Sequence, residues 1–172
     1  MNRLWAPWRK AYIRPDRKRS GCLFCRILKS RKDAAQFVLK RTPFSFALLN
    51  LYPYNNGHVM IVPNRHVDSI KQMTAAEKLD WLALTEEILD ALRKALKPHG
   101  FNAGLNLGRA GGAGVPGHLH LHVVPRWDGD TNFMPVLSDT KVISESMESV
   151  YRALAKVLRV SQKPVRAGRR RP

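Results

Sequence analysis

Three of the six histidines fall at alternate positions, His118, His120 and His122, with Leu119 and Leu121 between them. Alternate side chains of an extended strand project from opposite faces, so this spacing sends three imidazoles to one side and both leucines into a core. Neighbouring rings on that face are separated by about 6.6 Å of strand rise, near enough to cooperate around one ligand without forming one contact cluster. An imidazole is a competent nucleophile near neutral pH and leaves readily once phosphorylated. Adjacent groups can hold its tautomer and protonate a departing oxygen. The competing readings are a polar strand face and a three-histidine metal site. A single strand spaces such ligands more widely than tetrahedral zinc tolerates, and Thr, Lys or Glu serve a solvent face equally well.

The only two cysteines, Cys22 and Cys25, lie in GCLFC. The N-terminal MNRLWAPWRKAYIRPDRKRSG is basic and lacks the continuous apolar stretch of a secretion signal. The two-residue spacing therefore points to a metal site or a redox pair rather than a structural disulfide. No apolar run is long enough to span a bilayer, and a cytoplasmic location is expected by elimination.

The elements that must position these residues can be read from periodicity. FVLK from Phe37, SFALLNL and HVMIVP read as strands, separated by TP and YPYNNG turns. Thr74 followed by Glu77 forms a capping-box signature opening a helix over 74–97, with Pro98 and Gly100 as its stop. Leu82, Leu89, Leu92 and Leu96 supply its apolar stripe, widened by Leu79 and by Leu84 or Ile88. FNAGLNL (101–107) and HLHLHVV (118–124) are two further strands around a glycine-rich loop, and Met147, Val150, Tyr151, Leu154 and Leu158 mark a second helix over 144–159. The expectation is one α+β domain: an antiparallel sheet of about five strands, a long helix and a C-terminal helix.

Net charge is +17, unevenly spread: residues 1–41 hold 13 Lys/Arg against Asp16 and Asp33, and residues 156–172 hold seven Lys/Arg and no acid. The intervening segment is close to neutral. Three parts follow: a basic Trp/Arg-rich arm (1–20) in which Trp5, Trp8 and Tyr12 pack against the domain or a partner subunit, a folded domain (21–160), and a basic flexible tail (161–172). Basic ends attract any polyanion, so charge alone does not establish a nucleic-acid partner.

HLHLHVV satisfies the His-φ-His-φ-His-φ-φ signature, φ being apolar, and the chain from about Cys22 to Pro125 resembles the histidine-triad (HIT) family. That resemblance implies that His120 attacks an α-phosphorus and that His122 serves phosphate binding and the leaving group. It also implies nucleotide contacts from Asn50 at the end of an early strand, His58 lining the pocket, and Asn106 on the strand before the triad. The loop GGAGVPG takes the place of the family's Gly-Gln-Ser-like segment, leaving the peptide N–H groups of Gly112 and Gly114 to cradle phosphates. Some family members, and the related galactose-phosphate uridylyltransferases, hold zinc through such a CxxC. By that likeness Cys22, Cys25, His66 and His118 form a closed, structural Cys₂His₂ zinc site. No organic cofactor is implied.

LWAPWRKAYI and HVVPRWDGDTNFMPVLSDTKVISE resemble the bacterial diadenosine-tetraphosphate phosphorylase-like branch, with inorganic phosphate as co-substrate. Hydrolysis of the same dinucleotides, or of nucleoside phosphoramidates, is the alternative chemistry. A non-enzymatic nucleotide or nucleic-acid binding module is the alternative class. Thr131, Asn132 and Phe133 follow the triad closely enough to approach a ligand. The breadth of the apolar helix over 74–97, together with the family resemblance, implies a homodimer.

Overall fold

Strand alternation sorts the core onto two sides of one sheet. The computed structural model describes residues 21–132, 134–137 and 142–161. Its strands are β1 (Val38–Arg41), β2 (Ser45–Leu49), β3 (Val59–Pro63), β4 (Gly100–Leu105) and β5 (Leu121–Arg126). They pair antiparallel in the order β1-β2-β3-β5-β4. The helices are α1 (Leu23–Ser30), α2 (Ala75–Leu96), the single turn α3 (Met134–Leu137) and α4 (Met147–Ser161). The expected α+β class, five-stranded sheet, long helix and C-terminal helix are all present.

On one face Ala47, Leu49, Val59, Ile61 and Val123 pack against Trp81, Leu84, Ile88 and Leu92 of α2 and Val150, Leu154 and Leu158 of α4. On the other, Phe46, Leu48, Met60 and Val62 meet Phe24 and Ile27 of α1. The periodicity reading left this second face without a helix; α1 covers it. Arg41 secures α1 by donating to the carbonyls of Ile27 (3.2 Å) and Leu28 (3.4 Å) while pairing with Asp33 at 2.7 Å. Those carbonyls belong to the last turn of a helix, where a cation is favoured.

The capping box on α2 forms as read: Thr74 Oγ1 accepts from the Glu77 N–H and Glu77 accepts from the Thr74 N–H. The helix ends at Lys97, which is in the left-handed conformation (φ 50°), so Pro98 follows the stop and Gly100 already begins β4. The apolar stripe needs correction. Leu79 and Leu82 are 70 % and 58 % exposed, and the buried face is Trp81, Leu84, Thr85, Ile88, Ala91 and Leu92. Leucine spacing alone did not distinguish the two faces, because Trp81 and Thr85, both buried, carry polar atoms that the fold satisfies through the Ile61 and Trp81 carbonyls.

The triad strand also begins later than expected. Only Leu121 onward joins the ladder, because Leu119 N–H donates instead to the Val67 carbonyl at 2.7 Å. The expected arm (1–20), all but the first residue of the expected tail (161–172), and Phe133 lie outside the described residues. Among the described residues no helix is long and apolar enough to cross a membrane.

Candidate active site and metal cluster

The first half of the site is a set of four donors drawn from three segments. Cys22 caps the start of α1 and Cys25 sits in its first turn, His66 follows β3, and His118 precedes β5. Their ligating atoms all lie within 4.8 Å of one another. Cys22 Sγ is 3.2 Å and Cys25 Sγ 3.7 Å from His118 Nδ1, and Cys25 Sγ is 3.4 Å from His66 Nδ1. A tetrahedral ion with ordinary zinc–sulfur and zinc–nitrogen bonds requires sulfur–nitrogen separations of about 3.6 Å, so the donors fit such an ion with little movement. His118 Nε2 donates to the Pro63 carbonyl at 2.9 Å, which leaves Nδ1 as the nitrogen facing the sulfurs. Arg65, beside His66, is clamped by both carboxylate oxygens of Glu77 at 2.8 Å, so the α2 cap also steadies this ligand's loop.

His120 is treated in the opposite way. Its Nδ1 lies 2.8 Å from the His118 carbonyl and can only donate to it, so the proton sits on Nδ1 and the lone pair on Nε2. Nε2 is buried and has no hydrogen-bond partner among the described residues. Burial pushes the His120 pKa below the usual imidazole range, against the raising effect of the carbonyl bond. The neutral ring is thus the resident form near neutral pH. Phe24, lying between the two cysteines, packs on both His118 and His120, with ring centroids at 5.4 and 5.1 Å.

The tautomers of His58 and His122 follow from one unambiguous donor. The Tyr54 backbone N–H donates to His58 Nδ1 at 3.1 Å, so that nitrogen is unprotonated. Burial first, then the neighbouring His122 and His120, lower the His58 pKa to about 3, and the neutral ring must carry its proton on Nε2. That proton is donated to His122 Nδ1 at 2.9 Å. With Nδ1 accepting from His58, the His122 proton falls on Nε2, so its 3.4 Å approach to the Asn106 side-chain amide nitrogen sets two donors side by side rather than forming a hydrogen bond. The two present N–H donors to one region beside the His120 ring, whose centroid is 4.9 Å from that of His122. An electron-rich oxygen is the group such a region accepts.

The structure brings His58, His120, His122 and Asn106 together. Asn50 is buried behind His58, with its Oδ1 accepting from Tyr52 N–H and its Nδ2 at 3.4 Å from His58 Nδ1. In the glycine-rich loop the Gly112 N–H is engaged locally, donating to the Arg109 carbonyl at 3.0 Å, while Gly114 is exposed. Gly111 is required by sterics, since a Cβ there would stand 2.3 Å from the Leu107 carbonyl oxygen. Thr131 and Asn132 are exposed and bond to Asp130 and to the Met134 N–H. Sequence reasoning missed Phe24 and Tyr54. Phe24 stands between the two selected cysteines and Tyr54 four positions before His58, but nothing in the spacing marks either ring as facing a histidine.

Comparison with known proteins supplies an independent view. The HIT domain family model matches residues 31–129. An AP-4-A phosphorylase of Mycobacterium tuberculosis is 37 % identical over 162 residues, covering 90 % of this chain and 83 % of that protein. An asymmetrical bis(5'-nucleosyl)-tetraphosphatase of Schizosaccharomyces pombe is 33 % identical over 93 residues, covering 54 % of this chain and 50 % of the relative. Among solved structures, a zinc-bound histidine triad family protein from Mycobacterium smegmatis superposes with a TM-score of 0.66 at 26 % identity, covering 82 % of this chain and 95 % of that one.

Proposed function

The chain belongs to the HIT domain family, and from that premise we propose that it cleaves dinucleoside polyphosphates through a covalent nucleotidyl intermediate on His120. The His120 ring carries this conclusion: its Nδ1 is committed to the His118 carbonyl and its Nε2 lone pair is buried without a partner among the described residues. A desolvated, neutral imidazole with one nitrogen held is prepared for attack on phosphorus, and the carbonyl that holds it stabilises the positive charge the ring acquires.

In the first step Nε2 forms a bond to the α-phosphorus while the bond from that phosphorus to the bridging oxygen breaks. The electron pair leaves with the distal fragment, which for diadenosine tetraphosphate is ATP. The Nε2–H of His122 and the Asn106 amide stabilise the oxygens that gain charge. In the second step an oxygen of inorganic phosphate attacks the nucleotidyl-histidine, restores the His120 lone pair and releases ADP. Water in place of phosphate releases AMP. The 37 % identity to a phosphorylase over most of both chains supports phosphate as the acceptor. Asn50 holds the loop that carries His58, and Gly112 and Gly114 shape the loop on the phosphate side.

Cys22, Cys25, His66 and His118 are the residues that would hold zinc. With four protein donors no coordination position stays open, so a bound ion supplies a rigid tie between α1 and the triad. We assign a homodimer to the edge of the sheet at β4, where Asn102, Ala103 and Gly104 are exposed and, among the described residues, no further strand pairs. The exposed Leu79 and Leu82 of α2 add apolar surface that a partner can bury. Sedimentation equilibrium at moderate salt should give twice the 19.5 kDa chain mass, and a single-chain mass at micromolar concentration removes the dimer.

Product analysis tests the reaction. Incubation with diadenosine tetraphosphate and phosphate should give ADP and ATP in equal amounts. AMP and ATP irrespective of phosphate would establish hydrolysis instead, and no turnover with or without phosphate would overturn the enzymatic reading.

A further inference from the structure

The geometry points to Tyr54 as a positioning residue of the reaction, one that fixes the His58–His122 pair through both its backbone N–H and its ring. This rests on the proposed role of His122 at the phosphate oxygens.

Tyr54 lies in LYPYNNGH, the segment joining β2 to β3, and its place there is over-determined. Tyr52 N–H turns back onto Asn50 Oδ1, the Asn50 N–H donates to the His58 carbonyl at 2.9 Å, and the His58 N–H donates to the Asn55 carbonyl at 3.3 Å. Asn55 then ties the segment to the strand after the triad, donating to the Pro125 carbonyl at 3.1 Å and to Asp130 at 2.8 Å. A residue held this firmly can hold others.

Three contacts of Tyr54 converge on the reacting side. Its N–H selects the His58 tautomer. Its ring lies 4.6 Å from the His58 centroid and 5.6 Å from that of His122, stacked on the latter at 26°. Its hydroxyl accepts from Asn106 Nδ2 at 3.3 Å. With the Tyr54 N–H on His58 Nδ1 and the His58 Nε2–H on His122 Nδ1, the proton of His122 is left on Nε2 only while His122 stays in the plane that meets His58 Nε2. The stacked phenol ring sets that plane, and its hydroxyl keeps the Asn106 amide alongside. Small angular errors at a donor to a reacting phosphate are costly, since a displacement of about 1 Å lowers rates by roughly 100-fold.

The test compares Tyr54→Phe, which keeps the ring and loses the hydroxyl, with Tyr54→Ala, which loses both and keeps the backbone N–H. Steady-state kinetics on a dinucleoside polyphosphate should show kcat reduced by roughly 30- to 100-fold in Tyr54→Ala with KM within about threefold, and recovery to within about fivefold of wild type in Tyr54→Phe. The second readout is the imidazole proton of His58 Nε2 in ¹⁵N-histidine-labelled protein. Its hydrogen bond to His122 should hold it visible in wild type and Tyr54→Phe, and Tyr54→Ala should lose it to exchange. Should Tyr54→Ala fail to fold, Tyr54→Leu, bulky but not planar, serves in its place. Unchanged kcat, a loss confined to KM or to thermal stability, or a His58 proton indifferent to the ring would each overturn the inference. Absence of turnover in wild type would count against the proposed reaction, and the proton signal would then decide Tyr54 separately.

Discussion

His118 and His120 stand two residues apart in one short segment, yet backbone carbonyls take opposite nitrogens of their rings. The Pro63 carbonyl accepts from His118 Nε2, and Nδ1 is turned toward two sulfurs. The His118 carbonyl faces His120 Nδ1, and Nε2 is left buried and unpartnered among the described residues. The same side chain becomes a metal-ligand candidate in one case and a nucleophile candidate in the other. What distinguishes them is which nitrogen the main chain consumes. The metal half runs from an exposed His66 through two half-buried cysteines to a buried His118, whereas His58, His120 and His122 in the nucleophile half are all buried. Phe24 touches both rings and joins the two halves mechanically.

Substitution should separate them. His120→Ala is expected to lower turnover by at least about 10,000-fold while leaving the fold and the metal content unchanged, read by product formation and metal analysis. Turnover near wild type in that variant would break the contrast at its centre. His122→Ala should cost about 100- to 1,000-fold in kcat, with a smaller change in KM, because it removes a donor rather than the bond-forming atom. A loss equal to that of His120→Ala would make the two histidines one unit.

Cys22→Ser or chelation sharpens the other side. Protein purified without added zinc should carry close to one ion per chain, and its removal should lower the melting temperature by roughly 10 °C or more. A metal-free protein of equal stability would leave the four donors as a chance cluster.

The smallest expected effect concerns acid stability. The folded-state pKa of His58 is lowered from 6.5 to about 3, principally by burial. In that window the unfolded chain binds a proton that the folded chain refuses, so stability is full above pH 6.5 and declines as pH falls toward 3. His58→Gln should flatten this decline, visible as a smaller drop in melting temperature between pH 7 and pH 5. Parallel curves for variant and wild type would show that His58 is not the group responsible.

Much of this molecule could be read without coordinates, because its strongest signals are periodic or local. The alternation of HLHLHVV, the Thr74–Glu77 cap and the turn-bounded apolar runs each follow from geometry repeated over a few residues. They led to the sheet, α2, α4 and the histidines. The two-residue cysteine spacing marked half of a metal site, and family likeness named the other half. Reading failed where burial depended on a partner element. The leucines of α2 repeat convincingly, but the sheet contacts Trp81, Leu84 and Ile88, leaving Leu79 and Leu82 outside. Helix α1 is eight residues long, too short for its period to stand out, and only its packing on the sheet, with the two cysteines at its start, gives it purpose.

By itself, then, the sequence determined which residues are chemically able: imidazoles on one side of a strand path, two thiols three positions apart, and asparagines in two of the strand runs. Only the tertiary structure decided what each one does. A tautomer is set by the hydrogen-bond partner of the other ring nitrogen, and those partners are the carbonyls of Pro63 and His118, which any residue could supply, and the N–H of Tyr54, which any residue but proline could supply. Side-chain identity does not encode a main-chain contact, so the assignment of proton, lone pair and ligand appears only when the chain has folded.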